Sequence, residues 1–87
     1  MRLKKYEAAE KNLRKVLEEQ PNHIGALQNL SLALKELDFQ QESLDTSKRL
    51  LAIQESEVAC NNHGTILKEM NRKEEALKYF ERAIELK

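Results

Sequence analysis

Residues that interrupt regular structure are nearly missing from this sequence. Among its 87 residues there are two glycines, one proline and no tryptophan. The glycines, Gly25 and Gly64, stand far apart, which excludes a glycine-rich phosphate loop. A single cysteine, Cys60, excludes an internal disulfide and fits a reducing, cytoplasmic setting. Neither sign of charge is in excess: 15 Lys and Arg balance 15 Asp and Glu. That balance removes the basic surplus expected of a nucleic-acid binder and the polybasic patch of a membrane-surface protein. No apolar run approaches the roughly 18 residues of a membrane span. The opening residues, Met1 to Lys5, hold no apolar signal core. His23 and His63 lie far apart without close Cys, His or carboxylate companions, so no metal site is expected.

What is present favours helix. Apolar residues make up 40% and charged residues 34%, with Leu, Glu, Lys and Ala, all strong helix formers, dominant. A chain of this length buries only about 60–65% of its unfolded surface, enough for a modest core and not for a deep active site. Apolar positions at spacings of three and four mark five helices. The first runs from about Arg2 to Glu19, with Leu3, Tyr6, Ala9, Leu13, Val16 and Leu17 on one face. Pro21 ends it, because proline cannot continue a helix and disfavours helical geometry just before it. Asn22 is expected to cap the second helix, His23 to Leu37, whose inward face holds Ile24, Leu27, Leu30, Leu34 and Leu37. Asp38 marks a turn, with Phe39 expected to pack at the corner.

The third helix spans Gln40 to Gln54, and Ser56 is the expected cap of the fourth, Glu57 to Met70. After Asn71-Arg72 the fifth spans Lys73 to Lys87, with Ala76, Leu77, Phe80, Ala83 and Ile84 in its apolar stripe. Links this short make consecutive helices antiparallel neighbours.

A repeat underlies these helices. Ala9, Ser43 and Ala76 correspond at separations of 34 and 33. So do Leu13, Ser47 and Phe80, and then Val16, Leu50 and Ala83. Between them, Leu27-x-x-Leu30-Ser31-x-x-Leu34 matches Cys60-x-x-His63-Gly64-x-x-Leu67. The pattern resembles the tetratricopeptide repeat. That family shows large-x-x-Leu-Gly-x-x-large in its first helix, then Ala-x-x-x-aromatic and a closing proline in its second. Lys5-Tyr6-Glu7-Ala8-Ala9 with Pro21, and Ala76-x-x-x-Phe80-x-x-Ala83, carry the second-helix signature. Ser31 and Gly64 stand where a small residue lets the two helices of a repeat approach. Departures are Leu27, Cys60 and His63 in the first helices, Ser43 and Ser47 in the middle repeat, and Glu55 in place of proline. Together these departures are expected to weaken the middle repeat's core.

The resemblance implies an all-α solenoid of five antiparallel helices in a right-handed superhelix. Its single domain divides into residues 1–21 (the second helix of a partial repeat), 22–55 and 56–87. It also implies a non-catalytic scaffold for a protein or peptide partner, with no cofactor. First helices line the concave groove in this family. That places Gln28, Asn29, Leu32 and Lys35 on it, followed by Val58, Asn61, Asn62, Thr65 and Lys68.

Asn29 and Asn62 are equivalent, and an amide both donates and accepts, so a ladder of them could read a peptide backbone. Otherwise these asparagines are solvated or bond to neighbouring helices. The family's carboxylate clamp is not expected, because Gln28, Leu32, Asn61 and Thr65 lack its cations. Lys35 and Lys68, each followed by Glu, either meet a partner at the groove edge or form a solvated face. Cys60 and His63 can touch, yet no orienting group or oxyanion hole accompanies them, so they are read as core. Leu3, Tyr6 and Leu13 at one end, and Phe80 and Ile84 at the other, are uncapped apolar faces that fit either a fragment of a longer repeat array or a homo-oligomer assembled through its ends.

Overall fold

The computed structural model describes residues 2–87, with the backbone alone at Arg2; Met1, where the reading of the N-terminus begins, lies outside them. Five helices follow one another: α1 (Arg2–Glu19), α2 (Ile24–Glu36), α3 (Gln40–Ile53), α4 (Glu57–Glu69) and α5 (Lys73–Leu86). Each packs on its neighbour in sequence, and α2 also reaches α4. The chain is an all-α solenoid, measuring 33 × 26 × 18 Å.

The helix ends show the local chemistry. α1 stops where Gln20 N–H bonds the Val16 carbonyl and Pro21 follows. The cap of α2 is His23 rather than Asn22: its Nδ1 accepts from Ala26 N–H at 3.0 Å. Ser56 caps α4 as expected, accepting from Ala59 N–H at 3.1 Å. The tight turns after α2 and α4 share one geometry. Asp38 and Asn71, at equivalent places in successive repeats, both take left-handed φ (67° and 65°), which short polar side chains tolerate. Phe39 N–H then bonds the Leu34 carbonyl, and Arg72 N–H the Leu67 carbonyl, closing each helix in a Schellman motif. Phe39 does not fill the corner. It is 50% exposed, because this turn commits its backbone, not its ring.

The core has two centres. Leu17, Leu27, Leu30, Leu34, Leu50 and Ala59 form one, and Leu44, Ile66, Leu67 and Ala76 the other. Ser43 and Ser47, two of the departures from the pattern, are fully buried and hydrogen-bonded. Ser43 donates to the Ser31 carbonyl at 2.7 Å and Ser31 to the Ser43 carbonyl at 3.4 Å, clasping α2 to α3. Ser47 donates to the Leu44 carbonyl at 2.9 Å, and its oxygen lies 2.5 Å from His63 Nδ1 on α4. Each such bond contributes about 1 kcal/mol net, and leaving one buried partner unmade costs more.

Contacts between the second helices and the preceding loops recur with the period. Arg49 donates to the Pro21 carbonyl at 3.0 Å. Arg82, its counterpart in the next repeat, holds Glu55 Oε1 through two nitrogens at 2.6 and 2.9 Å. Glu55, standing where the earlier repeat has proline, is thus the anchor of a two-nitrogen contact from Arg82.

Candidate partner-binding site

Between α1 and α2 lies an open groove of about 440 Å³, lined by Tyr6, Ala9, Asn12, Leu13, Asn29, Leu32 and Ala33. It joins two sets of residues that the sequence pattern keeps apart. Tyr6 and Leu13 belong to the N-terminal apolar face, and Asn29 and Leu32 to the first-helix face. Ala9, Asn12 and Ala33 complete the lining and are not among the expected site residues. Shifting the buried Ser43, Thr46 and Ile66 back by one period points to them.

The remaining site residues fall elsewhere. Asn61 joins Glu57, Ala83, Ile84 and Lys87 around a shallow depression of about 130 Å³ between α4 and α5. Thr65 donates to the Asn61 carbonyl of its own helix at 2.8 Å, and Val58 is exposed. Gln28 is half-buried and Lys68 exposed. Lys35 Nζ lies 3.3 Å from Glu69 on α4 and 3.8 Å from Glu36, so it ties α2 to α4 inside the chain. Neither the Asn29 nor the Asn62 side-chain amide bonds another described residue, so these amides are not spent on neighbouring helices.

At the other end, Phe80 is not a free face. A Cβ on Gly64 would meet its ring at 2.8 Å, so Phe80 closes over α4. Leu77 and Ile84 are 58% and 73% exposed, whereas Leu44, the counterpart of Leu77 in the preceding repeat, is 1% exposed. Leu3 is exposed as well.

The titratable interior is small. Burial pushes the Cys60 thiol up, and nearby Glu55 adds to that, so the thiol stays protonated and packs as an apolar group. His63 turns its edge to Tyr79, ring centroids 4.4 Å apart, and its Nδ1 to Ser47. Burial pushes its imidazole below the ordinary value. Lys48 and Arg72 push the same way, and Glu75 opposes them. Among the described residues no cluster of His, Cys, Asp or Glu is placed to hold a metal ion, and no helix is long and apolar enough to cross a membrane.

The tetratricopeptide-repeat profile matches residues 1–23 and 58–87, more than half of the chain. This chain belongs to the tetratricopeptide-repeat (TPR) family. The stretch outside the match holds Leu27, Ser43, Ser47 and Glu55, where the residues depart from the TPR pattern. Similar solved structures include MamA MSR-1, 29% identical with a TM-score of 0.89 over 98% of this chain and 49% of that one. MamA AMB-1 is 30% identical with a TM-score of 0.90, over 99% of this chain and 51% of that one. The chain spans about half the length of these MamA chains. No curated protein sequence matches it. Family and fold are those of protein-interaction scaffolds.

A buried neutral histidine makes stability depend on pH. The unfolded chain takes up a proton near the ordinary value of 6.5, while the folded chain resists it. Stability is therefore constant above that pH and falls as pH drops from it towards the depressed folded value. Glu55 and Glu75, held low mainly by Arg82 and Arg72, lose their pairing only below about 4.5. Thermal melts should show a lower midpoint at pH 5 than at pH 7.5, with about 4–8 °C for each kcal/mol lost. His63→Leu, which restores the residue type found at Leu30, should remove most of that fall. An equally steep profile in the variant would show that His63 is not its source.

Proposed function

We propose that this chain is a non-catalytic scaffold that binds a segment of another protein in the groove between α1 and α2. The apolar lining of that groove carries the reading: Tyr6, Ala9, Leu13, Leu32 and Ala33 stand together at an open surface. Apolar side chains gathered in a concavity gain free energy when a partner removes them from water. Asn29 lines this groove with an amide that can both donate to and accept from the bound segment, and Asn62 repeats it one period later on α4. No cofactor, nucleic acid or membrane takes part in this reading, and the reduced thiol of Cys60 fits the cytoplasm. The same reading keeps one domain divided at residues 21 and 55.

A second reading, self-assembly through α5, draws on Leu77 and Ile84. They stand at positions whose counterparts, Leu44 and Leu51, are covered by other parts of the chain.

Selection from a random peptide library should give binders with Kd on the order of micromolar. Asn29→Ala combined with Asn62→Ala should weaken them about tenfold or more, the value of one or two hydrogen bonds. Binders indifferent to that pair would remove the amides from the site. Light scattering across a wide concentration range addresses assembly. A mass that grows with concentration, and no longer grows after Leu77→Lys with Ile84→Lys, supports it. A folded monomer at every concentration excludes it.

A further inference from the structure

We infer that the junction between the α2–α3 pair and the α4–α5 pair is a proton-operated joint: protonation of His63 parts the seam between α3 and α4 and swings one pair against the other. This goes beyond the docking reading and needs no occupant in the groove.

Three layers of side chains close that seam. Leu50 of α3 and Ala59 of α4 belong to one core cluster. Leu44 of α3 belongs to the other, with Ile66 and Leu67 of α4. Between the two, one turn from each along both helices, lie Ser47 and His63, both 1% exposed. The seam is therefore apolar at its ends and polar in its middle layer, where the Ser47 hydroxyl and the imidazole Nδ1 lie 2.5 Å apart. At the corresponding positions one period earlier stand Leu13 and Leu30, both part of an apolar cluster.

Each pair is locked within itself. α2 and α3 are clasped by the bonds between Ser31 and Ser43, and α4 and α5 by the Phe80 ring over Gly64. Across the seam, besides Ser47 and His63, Gln40 Nε2 donates to the Glu69 carbonyl at a long 3.4 Å. The loop end is pinned, because Arg82 of α5 holds Glu55. The far end, where Lys35 and Gln40 both meet Glu69, is held by that long bond and a partly exposed ion pair. Residues 54–56 are thus the pivot, and the Glu69 end is the part that moves.

A neutral ring suits the middle layer, and an imidazolium does not, since a buried charge is costly unless paired. The groups around the ring do not supply that pairing. Lys48 of α3 and Arg72 of the α4–α5 turn are cations. Glu75 of α5 opposes them, but Arg72 holds its carboxylate through two nitrogens. Tyr79 of α5 meets the imidazole ring to ring. On α2 the charged residues are Lys35 and Glu36, and Lys35 is turned to Glu69. Parting the seam lets water reach the imidazolium. The open form therefore takes up its proton at a higher pH than the closed form, and acid favours it. Below the ordinary value of 6.5 the open population gains up to about tenfold per pH unit, until the closed form is protonated too. Asn29 on α2 and Asn62 on α4 lie on opposite sides of the joint, so the swing resets the spacing of the first-helix face.

Residual dipolar couplings of the intact chain, recorded from pH 7.5 to 5, read the orientation of one pair against the other. The His63 ring shift in the same samples reads its proton. A rotation on the order of 10° is expected, with each pair unchanged internally and a midpoint that coincides with the imidazole titration. His63→Leu and His63→Gln should both hold the pH 7.5 orientation throughout. The second keeps a side chain that can bond Ser47 but cannot titrate in this range. The same swing in whichever variant folds assigns it to another group and overturns the inference. So does a fixed orientation while His63 titrates, a change of geometry inside either pair, or a His63 that stays neutral until the chain unfolds.

Discussion

The pairs α2–α3 and α4–α5 depend on how closely two helix backbones can approach. Gly64 lies directly beneath the Phe80 ring, where a Cβ would come within 2.8 Å of an aromatic carbon. One period earlier the same small position is Ser31, facing Ser43 instead of an aromatic ring. The two solutions differ chemically. One uses a missing side chain and a large apolar lid, and the other uses two hydroxyls that each bond the opposite helix's carbonyl. Both bring the second helix of a repeat close enough for Leu44 or Ala76 to reach the core. A larger residue at either position would separate the pair and misplace everything stacked beyond it, since each element rests on its neighbours.

Charged contacts fix the register that close packing allows. Arg49 on the Pro21 carbonyl, Arg82 on Glu55 and Lys35 on Glu69 connect residues 28, 27 and 34 positions apart. Exposed pairs of this kind add little stability individually. Their value is geometric: the Arg49 and Arg82 contacts recur 33 residues apart, and Lys35 joins α2 to α4. His63 shows the cost of varying the pattern inside. A polar ring in a leucine position is satisfied by Ser47 and packed by Tyr79, and its burial makes the fold sensitive to acid.

The helices and their period are legible in the sequence because apolar spacing and capping residues act locally. Ser56 behaves as its local rule requires. His23 takes the cap from Asn22 because an imidazole Nδ1 one residue later reaches the same N–H groups. The exposure of Phe39 is not legible, because ring burial depends on distant helices. The same limit applies to the site. Tyr6 and Leu13 are visible as an end face and Asn29 and Leu32 as a groove face, but only folding joins α1 and α2 into one trough. Lys35 looks like an available cation in the sequence, yet its partner Glu69 lies on α4 and meets it only through the α2–α4 contact.

A scaffold held by neighbour stacking, with an open groove at α1 and exposed leucine and isoleucine on α5, should not be uniformly stable. Residue-resolved amide hydrogen exchange measures this directly. The expected profile has α2, α3 and α4 opening only with the whole fold. The first half of α1 and the second half of α5 should exchange through local opening at lower free energy. Equal protection across all five helices would contradict the claim that the two ends lack covering neighbours.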